Sequence, residues 1–448
     1  MTRYRCAAAW IDNAVSGPVD LVVADGVIAA IEPVCGDPAG AEPRAAVPTE
    51  ALPGLVFPGF ADAHSHVFHR ALRGRTHVGS AVGHRTGGTF WTWRESMYAL
   101  AERLDPERLQ RLAVATYTEL LCAGYTAVGE FHYLHHAAGG RPYDEPNAMG
   151  LAVSDAASTV GIGLTLFDVG YLTGGFGEPV SAVQQRFSDR SVANWIDRVM
   201  ELPAELRTGM AVHSVRAIPV DDLPAMAAAA DGRLLHVHLS EQPAENDACL
   251  AHTGLTPTAL LDRSGILRPG TSVVHATHLT DDDIDRLAGA GVIAVICPTT
   301  EADLADGLPS IGKLVTAGVP LACGGDQQVS VDPFAQARGI EYGERSATRR
   351  RGTLSPVELV RAATAVSHRS IGSPAGRIAV GSPADLVAVR TDSARTAGSD
   401  PAQLVMSATA ADTAVVIVAG EVVARDGVHR RLGDPGVLLA AAIDAAWR

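Results

Sequence analysis

What most constrains this chain is an alternation running through its middle. Short apolar runs, Thr126-Ala-Val-Gly129, Gly163-Leu-Thr-Leu166, Leu235-His-Val-His-Leu239, Thr271-Ser-Val-Val274, Val292-Ile-Ala-Val-Ile296 and Pro320-Leu-Ala-Cys323, are separated by longer segments with helical patterning. Runs this short read as strands buried on both faces rather than as helices. Strands that alternate with helices over about 300 residues predict parallel βα units, and their even spacing favours a closed, distorted (β/α)8 barrel over an open doubly wound sheet. The glycine fingerprint of a dinucleotide-binding sheet is missing, since Gly161-Ile-Gly163 lacks its continuation.

The chain ends read differently. Leu21-Val-Val-Ala24 and Val27-Ile-Ala-Ala-Ile31 near the start are β-like runs broken by glycine turns, as are Ala384-Asp-Leu-Val-Ala-Val389 and Ala414-Val-Val-Ile-Val-Ala-Gly420-Glu-Val-Val423 near the end. They predict one small β-sandwich domain assembled from residues 1–57 and 376–448, with the barrel occupying 58–375. A length of 448 residues agrees with two domains.

A net charge of −14, from 36 basic against 50 acidic residues, argues against a nucleic-acid surface and for a small-molecule partner. No apolar run approaches the roughly 18 residues that a membrane-spanning helix needs, and no hydrophobic segment follows Met1-Thr-Arg-Tyr-Arg-Cys6, so a cytoplasmic protein without membrane contact is expected. The six cysteines, Cys6, Cys35, Cys122, Cys249, Cys297 and Cys323, show no CxxC spacing. Reduced, buried thiols are expected rather than disulfides or a thiolate metal site.

Chemistry concentrates at the ends of the apolar runs. Pro58-Gly-Phe-Ala-Asp-Ala-His64-Ser-His66 carries two histidines one residue apart. Alternate side chains of a strand share a face, so both imidazoles can meet one metal ion. His236-Val-His238-Leu-Ser-Glu241 adds a further imidazole and a carboxylate just beyond it. His236 and His238 also share a face, so periodicity leaves open which binds metal and which fills the barrel interior. Val273-Val-His275-Ala-Thr-His278 and Cys323-Gly-Gly-Asp326 close two more runs. Singly these are weak signals, since an aspartate after Gly-Gly is usually a turn residue. Together, four strand ends with metal-competent or proton-transferring groups are what an active site at the C-terminal face of a barrel requires.

The order HxH, HxxE, strand-end His and then Asp resembles the amidohydrolase superfamily and, within it, the hydrolytic deaminases. Phe90-Trp-Thr-Trp-Arg-Glu95, Gly129-Glu-Phe-His-Tyr133-Leu-His-His136 and His213-Ser-Val-Arg216 are similar to the N-formimidoyl-L-glutamate deiminases of histidine degradation, a likeness that runs through about residues 55–345. The resemblance implies a TIM-type barrel in which His64, His66, His238 and Asp326 hold one divalent metal, zinc before iron or manganese. It also implies that Asp326 accepts a proton from the attacking water, that Glu241 carries a proton to the departing nitrogen, and that His275 stabilises the tetrahedral intermediate. Tyr133, His213 and Arg216, with His69 and Arg94 as further candidates, would bind an amino-acid-like anion. The reaction implied is hydrolysis of N-formimidoyl-L-glutamate to N-formyl-L-glutamate and ammonia, and a homodimer is expected from the same likeness.

Two positions depart from the pattern. Members usually read Gly-Ser-Asp-Ser-His around the last ligand, where this chain has Gly324-Gly-Asp326-Gln-Gln328, and His69 stands where many members carry glutamine. Gln327 and Gln328 are expected to change hydrogen bonding beside the metal, which leaves room for another formimidoyl, guanidino or amino-heterocycle substrate. A two-metal centre would need a bridging group. Lys313, the one lysine of the chain, lies beyond His275 rather than between His66 and His238, which leaves Glu130 as the bridging candidate.

Overall fold

In the computed structural model, which describes residues 1–34, 48–77 and 89–448, the middle segment forms a sheet of eight parallel strands in sequence order. They are β1 (Phe60–Ser65), β2 (Tyr125–His132), β3 (Gly163–Gly170), β4 (Thr208–Val212), β5 (Leu235–Leu239), β6 (Thr271–His275), β7 (Ile293–Ile296) and β8 (Leu321–Cys323). Every residue of β5 to β8 is buried. One face fills the barrel and helices cover the other, which is why these strands read as unbroken apolar runs.

The first and last strands share no extended ladder. Beyond β8 the gap is closed by a parallel bridge between Ser65 and Asp326. The Asp326 N–H donates to the His64 carbonyl (2.7 Å), and the His66 N–H donates to the Asp326 carbonyl (2.9 Å). The helix Pro106–Ala123, which leads into β2, illustrates how the connections are specified. The Asp105 side chain accepts from the Arg108 N–H, Pro106 opens the first turn, and Gly124, at φ 110°, ends the helix.

The nine strands of the chain ends form one mixed sheet. Thr49–Pro58 lies at its centre, parallel to Thr2–Ile11 on one side and antiparallel to Leu386–Val389 on the other. The sheet curls until its halves face each other. The Tyr4 hydroxyl donates to the Gly420 carbonyl (2.8 Å), and a separate core of Tyr4, Cys6, Leu21, Ile28, Val56, Leu386 and Ile417 fills the space between. The expected sandwich is therefore built by one sheet folding over. Gly54 makes the central strand possible: it sits at φ 64°, and a Cβ there would stand 1.9 Å from the Val389 carbonyl oxygen. The last helix, Pro435–Trp447, leaves this sheet and packs on Pro106–Ala123, with the Trp447 indole donating to the Ala71 carbonyl (3.0 Å). Five cysteines are free and buried, while Cys35 lies outside the described residues. Among the described residues no helix is long and apolar enough to cross a membrane.

A buried ionic cluster braces the loops above β2 and β3. Arg198, on the helix Val192–Met200, donates to Asp168 of β3 (2.6 and 2.8 Å) and to Asp189 (2.9 and 2.8 Å). Burial works to raise both carboxyls, yet Arg198, aided at Asp189 by His136 3.0 Å away, holds them below the usual carboxylate range. Arg198→Met strands two buried carboxylates and is expected to lower unfolding free energy in urea by about 3–5 kcal/mol. A loss below about 1 kcal/mol, the size of an exposed pair, would show that the cluster does not hold these loops.

Candidate active site

All eight strands deliver a polar residue to the same end of the barrel. His64 is the last residue but one of β1, with His66 just beyond its end; Tyr133, Tyr171 and His213 follow β2, β3 and β4. His238 lies in β5 with Glu241 past its end, His275 is the last residue of β6, and Glu301 lies in the helix Pro298–Leu304 after β7. Asp326 follows β8. The backbone is bent out of ordinary conformations here: Ser240, His275, Ala276, Asp326 and Gln328 all have φ between 50° and 73°. Left-handed non-glycine residues in one cluster are characteristic of a functional mouth.

The predicted metal ligands come together. Single donor atoms of His64, His66 and His238 all lie within 4.8 Å of one another, as do those of His66, His69 and Asp326. His64 Nε2 is 3.1 Å from His238 Nε2, and Asp326 Oδ1 is 3.5 Å from His64 Nε2 and 3.3 Å from His66 Nε2. The opposite ring nitrogens explain this direction. His66 Nδ1 donates to the Phe131 carbonyl and His238 Nδ1 to the His213 carbonyl, each at 2.9 Å, so each Nε2 presents a lone pair to the common point. Burial lowers the basicity of all three imidazoles. Asp326 moves the other way: burial would raise its carboxyl, but His64, 3.5 Å away, with His66 and His275 nearby, keeps it well below the usual range. Neutral imidazoles converging with an ionised carboxylate fit one divalent cation. His236 lies one layer deeper, stacked on Phe167 at 3.6 Å with its Nε2 3.2 Å from the Ser370 carbonyl, which resolves the choice that periodicity left open.

Beside this centre, His275 Nε2 lies 3.6 Å from Glu241 Oε1 and 4.0 Å from Asp326 Oδ2, and His275 Nδ1 lies 3.5 Å from Glu301 Oε1. Burial alone would lower the His275 pKa, but Glu241, Glu301 and Asp326 outweigh it and push it up to about 10. Burial raises the Glu241 carboxyl, with His275 opposing. A cationic imidazole and a proton-hungry carboxylate therefore face one another at the metal centre.

The five expected substrate contacts all line one cavity, together with Glu241, His275, Asp326, Tyr98 and Tyr171. His69 Nε2 is 2.8 Å from the Tyr133 hydroxyl, and burial pushes the His69 pKa down to about 3. The His213 ring meets Tyr171 edge-on, with centroids 4.7 Å apart. Arg94 does stack on Trp91, 4.4 Å from the ring centroid, and lies 5.6 Å from that of Tyr98. Stacking occupies the flat face of the guanidinium and leaves its N–H edge for a ligand. Neither Arg94 nor Arg216 forms an ion pair among the described residues.

Gln327 and Gln328 alter the hydrogen bonding beside the candidate ligands, as expected, but do not line the cavity. The Gln328 amide donates to buried Asp62 (2.7 Å), whose carboxylate also accepts from the backbone N–H of His64 (3.2 Å) and Gly325 (2.7 Å), and Gln327 donates to Asp303 (2.9 Å). Their neighbour Asp326 has a left-handed backbone, which turns the chain away from the substrate side. Glu130 is not placed to bridge metals either: it accepts from Ser65 (2.8 Å), Tyr117 (3.1 Å) and the Val67 N–H (2.7 Å), and belongs to no candidate ligand group among the described residues. Sequence reasoning missed Glu301, although Pro298-Thr-Thr-Glu301 follows an apolar run just as the other sites do. It also missed Tyr171, Tyr98 and the Gln184 behind them, which no spacing signals.

Fold and centre together define a metal-binding barrel hydrolase. The sequence matches the Amidohydrolase family over residues 55–423. It is 37% identical over 389 residues to formimidoylglutamate deiminase of Pseudomonas aeruginosa, covering 83% of this chain and 85% of that protein. It is also 29% identical to 8-oxoguanine deaminase of the same organism over 80% of each chain. An amidohydrolase structure from Brucella melitensis superposes with a TM-score of 0.86 at 28% identity, covering 100% of both chains. A zinc-bound adenosine deaminase from Xanthomonas campestris shares the fold, with a TM-score of 0.81 at 22% identity over 99% of this chain and 97% of that one. The chain belongs to the amidohydrolase family and is a hydrolase acting on carbon–nitrogen bonds.

Since Asp62 ties the His64 backbone to the loop that carries Asp326, Gln328→Leu should weaken metal retention against a chelator by about 10–100-fold, whereas Gln327→Ala should change it by no more than about twofold. Equal effects of the two substitutions would contradict this assignment.

Proposed function

We propose that this protein hydrolyses N-formimidoyl-L-glutamate to N-formyl-L-glutamate and ammonia. The observation that carries this reading is the pair of guanidiniums, Arg94 and Arg216, that line the cavity beside Glu241 and form no ion pair among the described residues, Glu245 and Glu241 acting on Arg216 only from further off. A substrate with two carboxylates supplies that charge, whereas a neutral heterocycle leaves both cations unmatched. The similarity to formimidoylglutamate deiminase agrees. Gln327 and Gln328, bonded to Asp303 and Asp62, do not line the cavity that would hold the substrate.

In this reading His64, His66, His238 and Asp326 would hold one divalent ion, zinc in the first place, which would supply the Lewis acidity that makes water a nucleophile near neutral pH. Asp326, whose Oδ1 lies 3.3 Å from His66 Nε2 and 3.5 Å from His64 Nε2, is given the role of accepting a proton from the attacking water. Glu241, whose buried carboxyl takes up a proton more readily than an ordinary glutamate, delivers it to the departing nitrogen. His275, held protonated by Glu241 and Glu301, donates a hydrogen bond where charge builds up during attack. Arg94 and Arg216 hold the carboxylates, and Tyr133, His213 and His69 add neutral hydrogen bonds. The carbon–nitrogen bond breaks, ammonia leaves and the formyl carbonyl forms. A cytoplasmic homodimer belongs to the same reading.

Ammonia release is expected from N-formimidoyl-L-glutamate, and Glu241→Gln should lower kcat by about 10²–10⁴-fold while bound metal is unchanged. Absence of ammonia with the wild-type protein would remove the substrate assignment. Near-normal turnover in the variant would remove the role given to Glu241.

A further inference from the structure

Two phenols, Tyr98 and Tyr171, line the same cavity as Arg94 and Arg216. Behind them stands Gln184, only 4% exposed, at the start of the turn Gln184–Arg186. Its side-chain oxygen accepts from the backbone N–H of Ser181 at 2.8 Å. An N–H can only donate, so this bond fixes which end of the amide is oxygen and which is nitrogen. The amide nitrogen then faces both phenols, 2.8 Å from the Tyr171 hydroxyl and 3.1 Å from the Tyr98 hydroxyl. With two hydrogens to give, it donates to both.

Each phenol oxygen therefore accepts from behind, and its own O–H must donate elsewhere. Among the described residues neither hydroxyl has an acceptor. The donors left over belong to the cavity wall that also carries Arg94 and Arg216.

We infer that Gln184 is a positioning residue that turns Tyr98 and Tyr171 into hydrogen-bond donors, so that they join Arg94 and Arg216 in holding two carboxylates and select against ligands that carry only one. The inference rests on the dicarboxylate reading of the cavity and gives it a mechanism of selection. A carboxylate only accepts, and it can satisfy O–H groups and guanidiniums together. An alkyl group or an ammonium offers no acceptor to the buried Tyr171 hydroxyl or to the half-buried Tyr98, Arg94 and Arg216 beside it, which is a basis for rejection.

The test is calorimetric binding of glutarate and of butyrate to the metal-loaded protein, which requires no turnover. Wild type should bind glutarate about 10–100-fold more tightly than butyrate. Gln184→Glu keeps the side-chain shape but puts an acceptor where the amide donated, so both phenols turn back towards it and the glutarate preference should collapse towards unity. Tyr171→Phe and Tyr98→Phe, which keep the ring and remove one donor each, should each cut the preference by about tenfold, and they decide the matter if Gln184→Glu does not fold. Wild type without a glutarate preference, or a full preference retained in Gln184→Glu or in both phenylalanine variants, overturns the inference. Failure of the ammonia assay alone would remove the substrate's identity and leave this ratio to judge the pocket.

Discussion

The structure depends on one short backbone junction: Asp326 giving its N–H to the His64 carbonyl and taking the His66 N–H on its own. A barrel whose first and last strands share no ladder has to be closed somewhere, and here it is closed by the residues that carry the metal-binding side chains. The left-handed conformation of Asp326, at φ 50°, costs about 1–3 kcal/mol, which the surrounding hydrogen bonds must offset. Asp62 provides much of that offset by accepting from His64, Gly325 and Gln328 at once, with burial pushing its own pKa up to about 7. Closure of the fold and convergence of the ligands are therefore one event, and anything that loosens the junction should be felt at the metal.

Charge is sorted along the cavity. At its base lie neutral imidazoles and an ionised Asp326. Beside them His275 is held cationic between Glu241 and Glu301, while Asp306, whose Oδ1 accepts from Gln242, is pushed up to about 9 by burial and by Glu241. Elsewhere on the wall are Arg94, Arg216 and the two phenols. In a low-dielectric cavity such groups interact far more strongly than in water, so a ligand must match the pattern of proton donors and acceptors to enter at all. Selection and catalysis are then aspects of one electrostatic arrangement.

Much of this was legible in the sequence, for reasons that can be named. Buried parallel strands leave unbroken apolar runs, and an active site at one barrel mouth leaves polar residues at their ends, so His64, His66, His275 and Asp326 could be found by reading along the chain. Alternation could not separate His236 from His238, because both face inward and differ only in the layer they occupy. Gln327 and Gln328 were expected to change hydrogen bonding beside the metal, and they do, but which carboxylates they bond was not legible, because a left-handed turn at Asp326 carries them to Asp303 and Asp62. Gln184 was invisible: its role arises from a turn that brings one amide against two phenols distant in the chain. The terminal runs were read correctly as β structure, but not that a single sheet would curl to make both layers.

The central claim is that three imidazoles and one carboxylate hold a single cation at the barrel mouth. Zinc-edge X-ray absorption combined with metal quantification tests it most directly. One ion per chain in a nitrogen- and oxygen-ligated site, lost in His238→Ala and retained in His236→Ala, is the result expected. Two ions per chain, or an ion that survives removal of His238, would contradict the account.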